Sequence, residues 1–540
     1  MLIERLHAYY RRNSSNLVIL AGWCLLTVVM LVNHEPWRDE GQAWLIARDS
    51  PDLASILRLL GYEGTPGLWH FLLFPLAHSG APYWSLALFH SLLALCAVSL
   101  LLFRSPLWTV EKAFIVLGYT LLYRYNVVAR SYVVSCLLLF MIAATYGTRR
   151  DRPWLHGLLL ALLANTNLHS AVIAVGLAGA YAWETLLGPG RDRGAAAAAL
   201  GIFGLGLGLA AYQALPPPDL MPSLVRWRGF WLGTDRTEEV RALKTALHGY
   251  FPVPEALTLV PTALSRFVWG WSHLAGLAEL ALGLVVLSRV RRVLWAYIGS
   301  TAALFALFTF KYTGGPWHHG MLLVSLIACA WIVLDEAPDS TAQPPRRERR
   351  RQTSTARFTA RQLLPFVFAG CAIAGPMVFV KEVTREYSTG PRVARWLEDG
   401  GWVSDRSLIA VSPAPMGAAI LPVLHDRGLR FYYPEYDTFG SYAVWNVYLE
   451  PPYSLTRTEA AERVLSEAER GGYDRALLLY HRRVPDPPGE LLAGRFRLIR
   501  VFDGSVVDEW YDAYDLVSRA PVLTVPEEDV GPTWTAPYGR

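Results

Sequence analysis

Two adjacent carboxylates, Asp39 and Glu40, lie six residues past the first long apolar stretch, in the run His34-Glu35-Pro36-Trp37-Arg38-Asp39-Glu40-Gly41-Gln42. A carboxylate at a water–apolar boundary can take a proton from a hydroxyl, because partial burial raises its pKa into a useful range. The same pair can instead cap the helix that follows, where the N-terminal dipole favours negative charge. Cations occur at similar boundaries. Arg130 lies near the end of an apolar stretch, beside Arg124 and Asn126. A guanidinium fork there fits a phosphate, or snorkels to lipid headgroups. Lys311, His318 and His319 surround Gly314-Gly315-Pro316 at another such end. They can bind a phosphate or diphosphate, or simply form a polar turn between helices. His169, with Asn165 and Asn167, marks a further end, as a turn or as a sugar or phosphate contact. His318 and His319 are sequence neighbours that would face apart on a helix, which is poor metal geometry. The five cysteines all lie in apolar stretches without metal or disulfide spacing. No metal and no cofactor is expected.

These residues need a scaffold, and composition indicates which. Of 540 residues, 53% are hydrophobic and only 18% charged, well under the roughly 25% charge usual in soluble domains. Disordered and nucleic-acid-binding classes are thereby excluded. Eleven apolar stretches are candidates for membrane spans: 15–33, 83–103, 113–126, 128–147, 154–168, 169–187, 195–214, 267–288, 293–310, 317–334 and 362–380. The stretches 113–147 and 154–187 are each read as a hairpin. The short basic loops before, between and after them (Arg104 and Lys112; Arg149, Arg150 and Arg152; Arg191 and Arg193) must all be cytoplasmic. The turns then fall near Tyr125-Asn126 and Asn165-Thr166-Asn167, on the outer side. The run Arg346–Arg351 reads as a cytoplasmic topology signal and the long loop 215–256 as external. Most of the 20 tryptophans suit an interfacial belt.

Eleven spans place residues 381–540 outside. This part holds 18 Lys+Arg against 24 Asp+Glu, whereas residues 1–380 hold 32 against 21. It reads as a small α/β domain with strands at Leu408–Val411, Arg430–Tyr433 and Ala476–Tyr480, helices at Met416–His425 and Thr456–Arg470, and a mainly parallel sheet. Between the first two spans, the outer loop 34–82 carries a surface helix. Ser50 is its N-cap, Pro51 its first turn and Gly61 its stop, and Leu53, Ile56, Leu57 and Leu60 form its apolar stripe. Leu68–Ala77 is apolar but too short to cross.

One span, an outer loop opening with Asp39-Glu40, surface helices and the segment Thr65-Pro66-Gly67-Leu68-Trp69 together resemble the GT-C superfamily of membrane glycosyltransferases. The likeness is nearest to the glycosyltransferase family 39 group of protein O-mannosyltransferases and lipid A aminoarabinose transferases. Ala129-Arg130-Ser131-Tyr132, Asn167-Leu168-His169 and Trp317-His318-His319-Gly320 look like further pieces of that group. The layout covers roughly residues 10–335 and is sharp at 37–75. Relatives tend to carry a basic residue where this chain has Thr65. The resemblance implies a polytopic α-helical membrane protein, with residues 1–380 as the catalytic part and 381–540 as an extracytoplasmic domain. It implies a place in a bacterial plasma membrane and an inverting, metal-independent transfer. The donor would be a polyprenyl-phosphate-linked sugar, and the acceptor a hydroxyl of an unidentified lipid, glycan or protein. Asp39 would be the general base and Glu40 its support, with Arg130, Lys311, His169, His318 and His319 toward the phosphate. Membrane lipids are the other expected partner, and nucleic acid is not. A transporter or flippase of lipid-linked glycan and an inactive membrane scaffold are the alternatives. The first would show broken or charged helices in mid-membrane and a repeated half.

Overall fold

The computed structural model describes residues 2–186, 193–225, 236–253, 262–336, 362–425, 428–481, 492 and 494–517. Arg191, the run Arg346–Arg351 and parts of the loop 215–256 lie outside the described residues. Among the described residues, seven helices are long and apolar enough to cross a membrane: Asn13–Asn33, Ser85–Arg104, Arg193–Gln213, Phe267–Leu287, Arg291–Phe310, Pro316–Glu336 and Leu364–Thr384. They coincide with seven of the eleven expected stretches, and the architecture is that of a polytopic membrane protein.

The remaining stretches are shorter or broken. Pro153–Ala164 and Leu168–Leu186 form the expected hairpin, with its turn at Asn165–Asn167. Asn167 Oδ1 accepts the Ser170 N–H at 3.0 Å and so starts the second helix. The stretch 113–126 is not one helix. Thr109–Val116 stops short, and a π-helical turn follows at Thr120–Arg124. The break falls at Gly118, whose backbone lies so close to Cys371 that an added Cβ would come within 2.7 Å of that side chain. In the first loop, the helix runs Leu53–Glu63 and its N-cap is Asp52 rather than Ser50. The Asp52 carboxylate accepts the Ser55 N–H at 2.7 Å. Gly61 lies inside the helix, and the stop is Gly64, in the left-handed region at φ 62°. Half of the predicted stripe is buried: Ile56 and Leu60 are fully enclosed, while Leu53 and Leu57 stay exposed.

The chain divides into two compact units, a helical one (1–34, 50–218 and 224–384) and a sheet unit (35–49, 219–223 and 385–540). The sheet unit has six strands: β1 Ser407–Ser412, β2 Phe431–Tyr433, β3 Thr438–Gly440, β4 Arg475–His481, β5 Phe496–Phe502 and β6 Tyr511–Leu516. Their order is β3-β2-β1-β4-β6-β5. Only the central three are parallel, and both edges are antiparallel, which corrects the expectation of a mainly parallel sheet. Alternate residues of β1 serve two cores. Ile409 and Val411 face the side with the Gly390–Asp399 helix, and Leu408 and Ala410 face the Arg457–Gly471 helix. Thr456 and Glu459 form a capping box at the start of that second helix. Met416–His425 is not an α-helix. A 3-10 segment at Ala414–Ala419 gives way to turns, as the prolines at 413, 415 and 422 dictate.

The segment Glu35–Asp49 belongs to the sheet unit, although the sequence reading left it with the helical part. It forms a helix, Arg38–Asp49. The reason is packing. Leu45 is fully buried in the core shared by Val393, Leu397, Ile409 and Val411. Gln42 forms a two-way amide pair with Ala443, donating to its carbonyl at 2.8 Å and accepting its N–H at 3.0 Å.

Candidate functional site

Four helices of the helical unit carry the predicted cations and histidines at one set of ends: Tyr132–Thr145, Leu168–Leu186, Arg291–Phe310 and Pro316–Glu336. Their other ends are tied by a buried charge network. Arg149 reaches Glu184 at 2.6 Å and Glu336 at 2.5 Å, and Arg292 bonds to both of these carboxylates. Glu336 is shared by two guanidiniums and Glu184 by three, Arg150 being the third, so both carboxylates are compensated and the four helices are held in register.

At the first set of ends, His169, His318, Tyr132 and Tyr312 form one cluster. The His169 and His318 rings lie 4.8 Å apart, and Tyr312 and Tyr132 meet His318 edge-on at 5.2 and 5.8 Å. The Tyr312 hydroxyl is 2.6 Å from His169 Nε2. His318 has two candidate donors, the Gly315 amide and the Trp317 indole. A neutral imidazole accepts at one nitrogen only, so one of these is engaged at a time. Trp317 is the plate between the arginines: Arg130 lies 5.3 Å and Arg124 5.6 Å from its ring centroid. Arg124 is buried and donates from Nε to the Tyr119 hydroxyl at 3.0 Å. Tyr125 donates to the Trp317 carbonyl at 2.6 Å and stacks on Tyr132, closing the ring of contacts. Glu382 reaches the edge of this shell, with one oxygen on Tyr123 at 2.7 Å and the other on His34 at 2.5 Å.

His319 faces a neighbouring cleft lined by Tyr119, Arg124, His248, Pro316 and Gly320. Its Nε2–H donates to the Thr313 carbonyl at 2.8 Å. His169 Nδ1, His319 Nδ1, His248 Nδ1 and both nitrogens of His70 are buried without a partner. His70 lies within electrostatic reach of Arg130. Orphaned buried imidazole nitrogens are costly; a ligand's acceptor oxygen satisfies those that carry a proton, whereas His319 Nδ1, whose ring donates through Nε2, needs a donor such as a hydroxyl. The Lys311 ammonium donates to the Leu224 carbonyl at 2.5 Å. Sequence reading overlooked His248, Tyr119 and the Glu382 contacts. His248 lies in a loop with no periodic signal, and the others depend on contacts between distant segments.

The carboxylates Asp39 and Glu40 are in the sheet unit, in the first turn of the Arg38–Asp49 helix. Glu40 is buried and accepts the Trp37 N–H at 3.1 Å, which is the capping role. Glu509, from the loop before β6, accepts the Arg38 N–H at 2.7 Å. Asp39 is elsewhere. Its side chain is 28% exposed, and its carboxylate is 4.0 Å from Arg38 Nε. Arg38 in turn bridges to Asp508 at 3.0 Å and to Met416 Sδ at 3.6 Å. The two predicted partners therefore separate: Glu40 holds backbone, and the Asp39 side chain is partly exposed. Asp437 and Tyr442 serve folding contacts: Asp437 accepts the Tyr432 hydroxyl at 2.6 Å, and Tyr442 packs against the core that holds Leu45.

Among the described residues, no three His, Cys, Asp or Glu side chains are grouped as metal ligands would be. The chemistry available is anion binding at the Arg–His–Trp cluster, stacking of a ring on its tyrosines, and proton transfer at Asp39. In comparisons with known proteins, no family model, no curated sequence and no solved structure matches the chain.

Proposed function

We propose that this protein is a membrane glycosyltransferase of the GT-C type, taking a sugar from a polyprenyl-phosphate carrier on the outer face of the membrane. One observation carries the reading: Arg124 and Arg130 share the Trp317 plate, beside the His169–His318 pair, at the ends of apolar helices. Cations at that depth mark sites for charged ligands, and the phosphate of a lipid carrier has the charge, geometry and position to be that ligand. The acceptor hydroxyl oxygen attacks the anomeric carbon as the bond to the carrier phosphate breaks. The electron pair leaves with the phosphate, the hydroxyl proton passes to a general base, the role that the sequence resemblance gives Asp39, and the configuration inverts.

Incubating the purified protein with labelled polyprenyl-phosphate sugars should release polyprenyl phosphate, and no release from any such donor rejects the reading. Arg130→Ala and His169→Ala should each raise the donor KM about tenfold or more, the usual consequence of losing a charge-assisted bond. Unchanged donor kinetics in both, at unchanged Tm, removes these residues from the site. The orientation is tested separately. A reporter active only outside the cytoplasm, fused after Tyr387, should be active, and activity of a cytoplasmic reporter there overturns the assignment.

One observation favours the transporter alternative. Glu279 lies buried within the Phe267–Leu287 span and accepts the Gly370 N–H at 3.1 Å, beside a helix interrupted between Val367 and Ala369. Movement of an intact lipid-linked glycan without release of polyprenyl phosphate, abolished by Glu279→Gln, would establish that reading instead.

A further inference from the structure

The Arg38–Asp49 helix begins without a conventional N-cap, since Trp37 occupies that position. Four N–H groups at a helix start need acceptors. Two of them are met by carboxylates from very different places in the chain: Glu40 takes the Trp37 N–H, and Glu509 takes the Arg38 N–H. Glu509 is wholly buried and is itself anchored. The Ser388 hydroxyl donates to its second oxygen, and the Thr389 hydroxyl donates to its carbonyl. Its neighbour Asp508 bridges to the Arg38 guanidinium, and the Asp508 carbonyl is 2.9 Å from His481 Nε2 on β4. One short loop, 508–509, thus holds both the backbone and the side chain of the residue next to Asp39. Gln42 and Ala443 fix the next turn.

From this geometry we infer that Glu509 is the positioning residue for Asp39, holding the first turn of its helix so that the Asp39 carboxylate stays oriented for proton transfer. The catalytic part of this inference rests on the reading of Asp39 given above. The grip on the helix does not. The groups facing Glu509 are Arg38 and Asp39 from the helix, Asp508 beside it, Tyr511 from β6 and the Ser388 hydroxyl. Burial pushes the Glu509 carboxyl up to about 7, against the pull of Arg38. Protonation of Glu509 thus falls in the working pH range and removes a negative charge next to Asp39.

The test uses the full-length protein in detergent or nanodiscs, with Glu509→Ala, Glu509→Gln and Asp39→Asn. Hydrogen exchange reads the grip without any activity. In Glu509→Ala the Arg38 amide should exchange about tenfold faster or more, whereas Glu509→Gln, whose carbonyl can still accept that N–H, should stay near wild type. Transfer kinetics read the consequence. Glu509→Ala should lower kcat about tenfold with donor KM unchanged, as expected when positioning is lost. Glu509→Gln should remove an inflection near pH 7 from the pH–rate profile, because the amide cannot ionise there. Wild-type exchange at Arg38 in Glu509→Ala overturns the inference. So does a wild-type kcat and pH profile in both variants when Asp39→Asn is inactive. If Asp39→Asn transfers normally, the role of Asp39 fails on its own, and the exchange result still decides the grip.

Discussion

Asp39→Asn should lower transfer roughly 100-fold or more, about 2.7 kcal/mol in the barrier, while leaving folding and donor binding intact. The structure sharpens this expectation by separating Asp39 from the capping work. The first two N–H groups at the helix start are taken by Glu40 and Glu509. Loss of charge at Asp39 therefore leaves both bonds in place and forfeits only the attraction of a partly exposed carboxylate to the helix start and to Arg38, about 0.3–1 kcal/mol. The expected phenotype is a folded, donor-binding, inactive protein. Glu40→Gln should behave differently. Its amide oxygen can still accept the Trp37 N–H, but without charge, so a loss of about 1 kcal/mol in stability and a milder loss of activity are expected. Transfer, donor KM and Tm measured on both variants decide the matter. Near-normal turnover in Asp39→Asn removes Asp39 from the chemistry, and a fall in Tm larger than that of Glu40→Gln returns it to a structural role.

The parts of this molecule that local sequence could announce are those whose cause is local. The Asn165–Asn167 turn was legible because basic loops on both sides demanded a hairpin and asparagine suits a helix start. Strands β1 and β4 were legible as short apolar runs, because both of their faces are buried. The edge strand β5 and its neighbour β6 carry Arg497, Arg500, Asp512 and Asp515 among their apolar residues, and nothing in those six or seven residues distinguishes them from loop. Met416–His425 misled because its apolar content is that of a helix, while its prolines and the close approach of Tyr433 to Gly417 impose turns. The site divides the same way. Arginines and histidines at the ends of apolar stretches could be picked out one by one, since a charge at such a boundary needs a reason. Their grouping around Trp317, the redirection of Lys311 to a carbonyl, and the pairing of Arg38 with a loop 470 residues later depend on tertiary contacts that no spacing encodes.

Gly41→Ala should be the most damaging single methyl group in the sheet unit, costing about 3 kcal/mol or more. Alanine is intrinsically the better helix former by about 1 kcal/mol, so propensity alone predicts stabilisation. Packing reverses the sign. A Cβ at Gly41 would stand 1.8 Å from the Ala418 carbonyl oxygen and 3.1 Å from Pro422 Cγ, and the first of these is backbone that cannot rotate away. Ala418 belongs to the 3-10 segment that follows β1, so relief requires moving either that segment or the helix. Moving the helix breaks the Gln42–Ala443 pair and withdraws Leu45 from the core. It also drags Asp39 from its place, so transfer should fall with stability. Gly64→Ala is the control. Gly64 has φ 62° with open space around its Cβ position, so alanine there pays only the left-handed backbone cost of about 1–2 kcal/mol. Thermal unfolding of both variants separates a steric collision from backbone strain. A Gly41→Ala protein as stable as wild type would mean that the Arg38–Asp49 helix does not pack against the sheet unit, and the case for Glu509 as its anchor would fall with it.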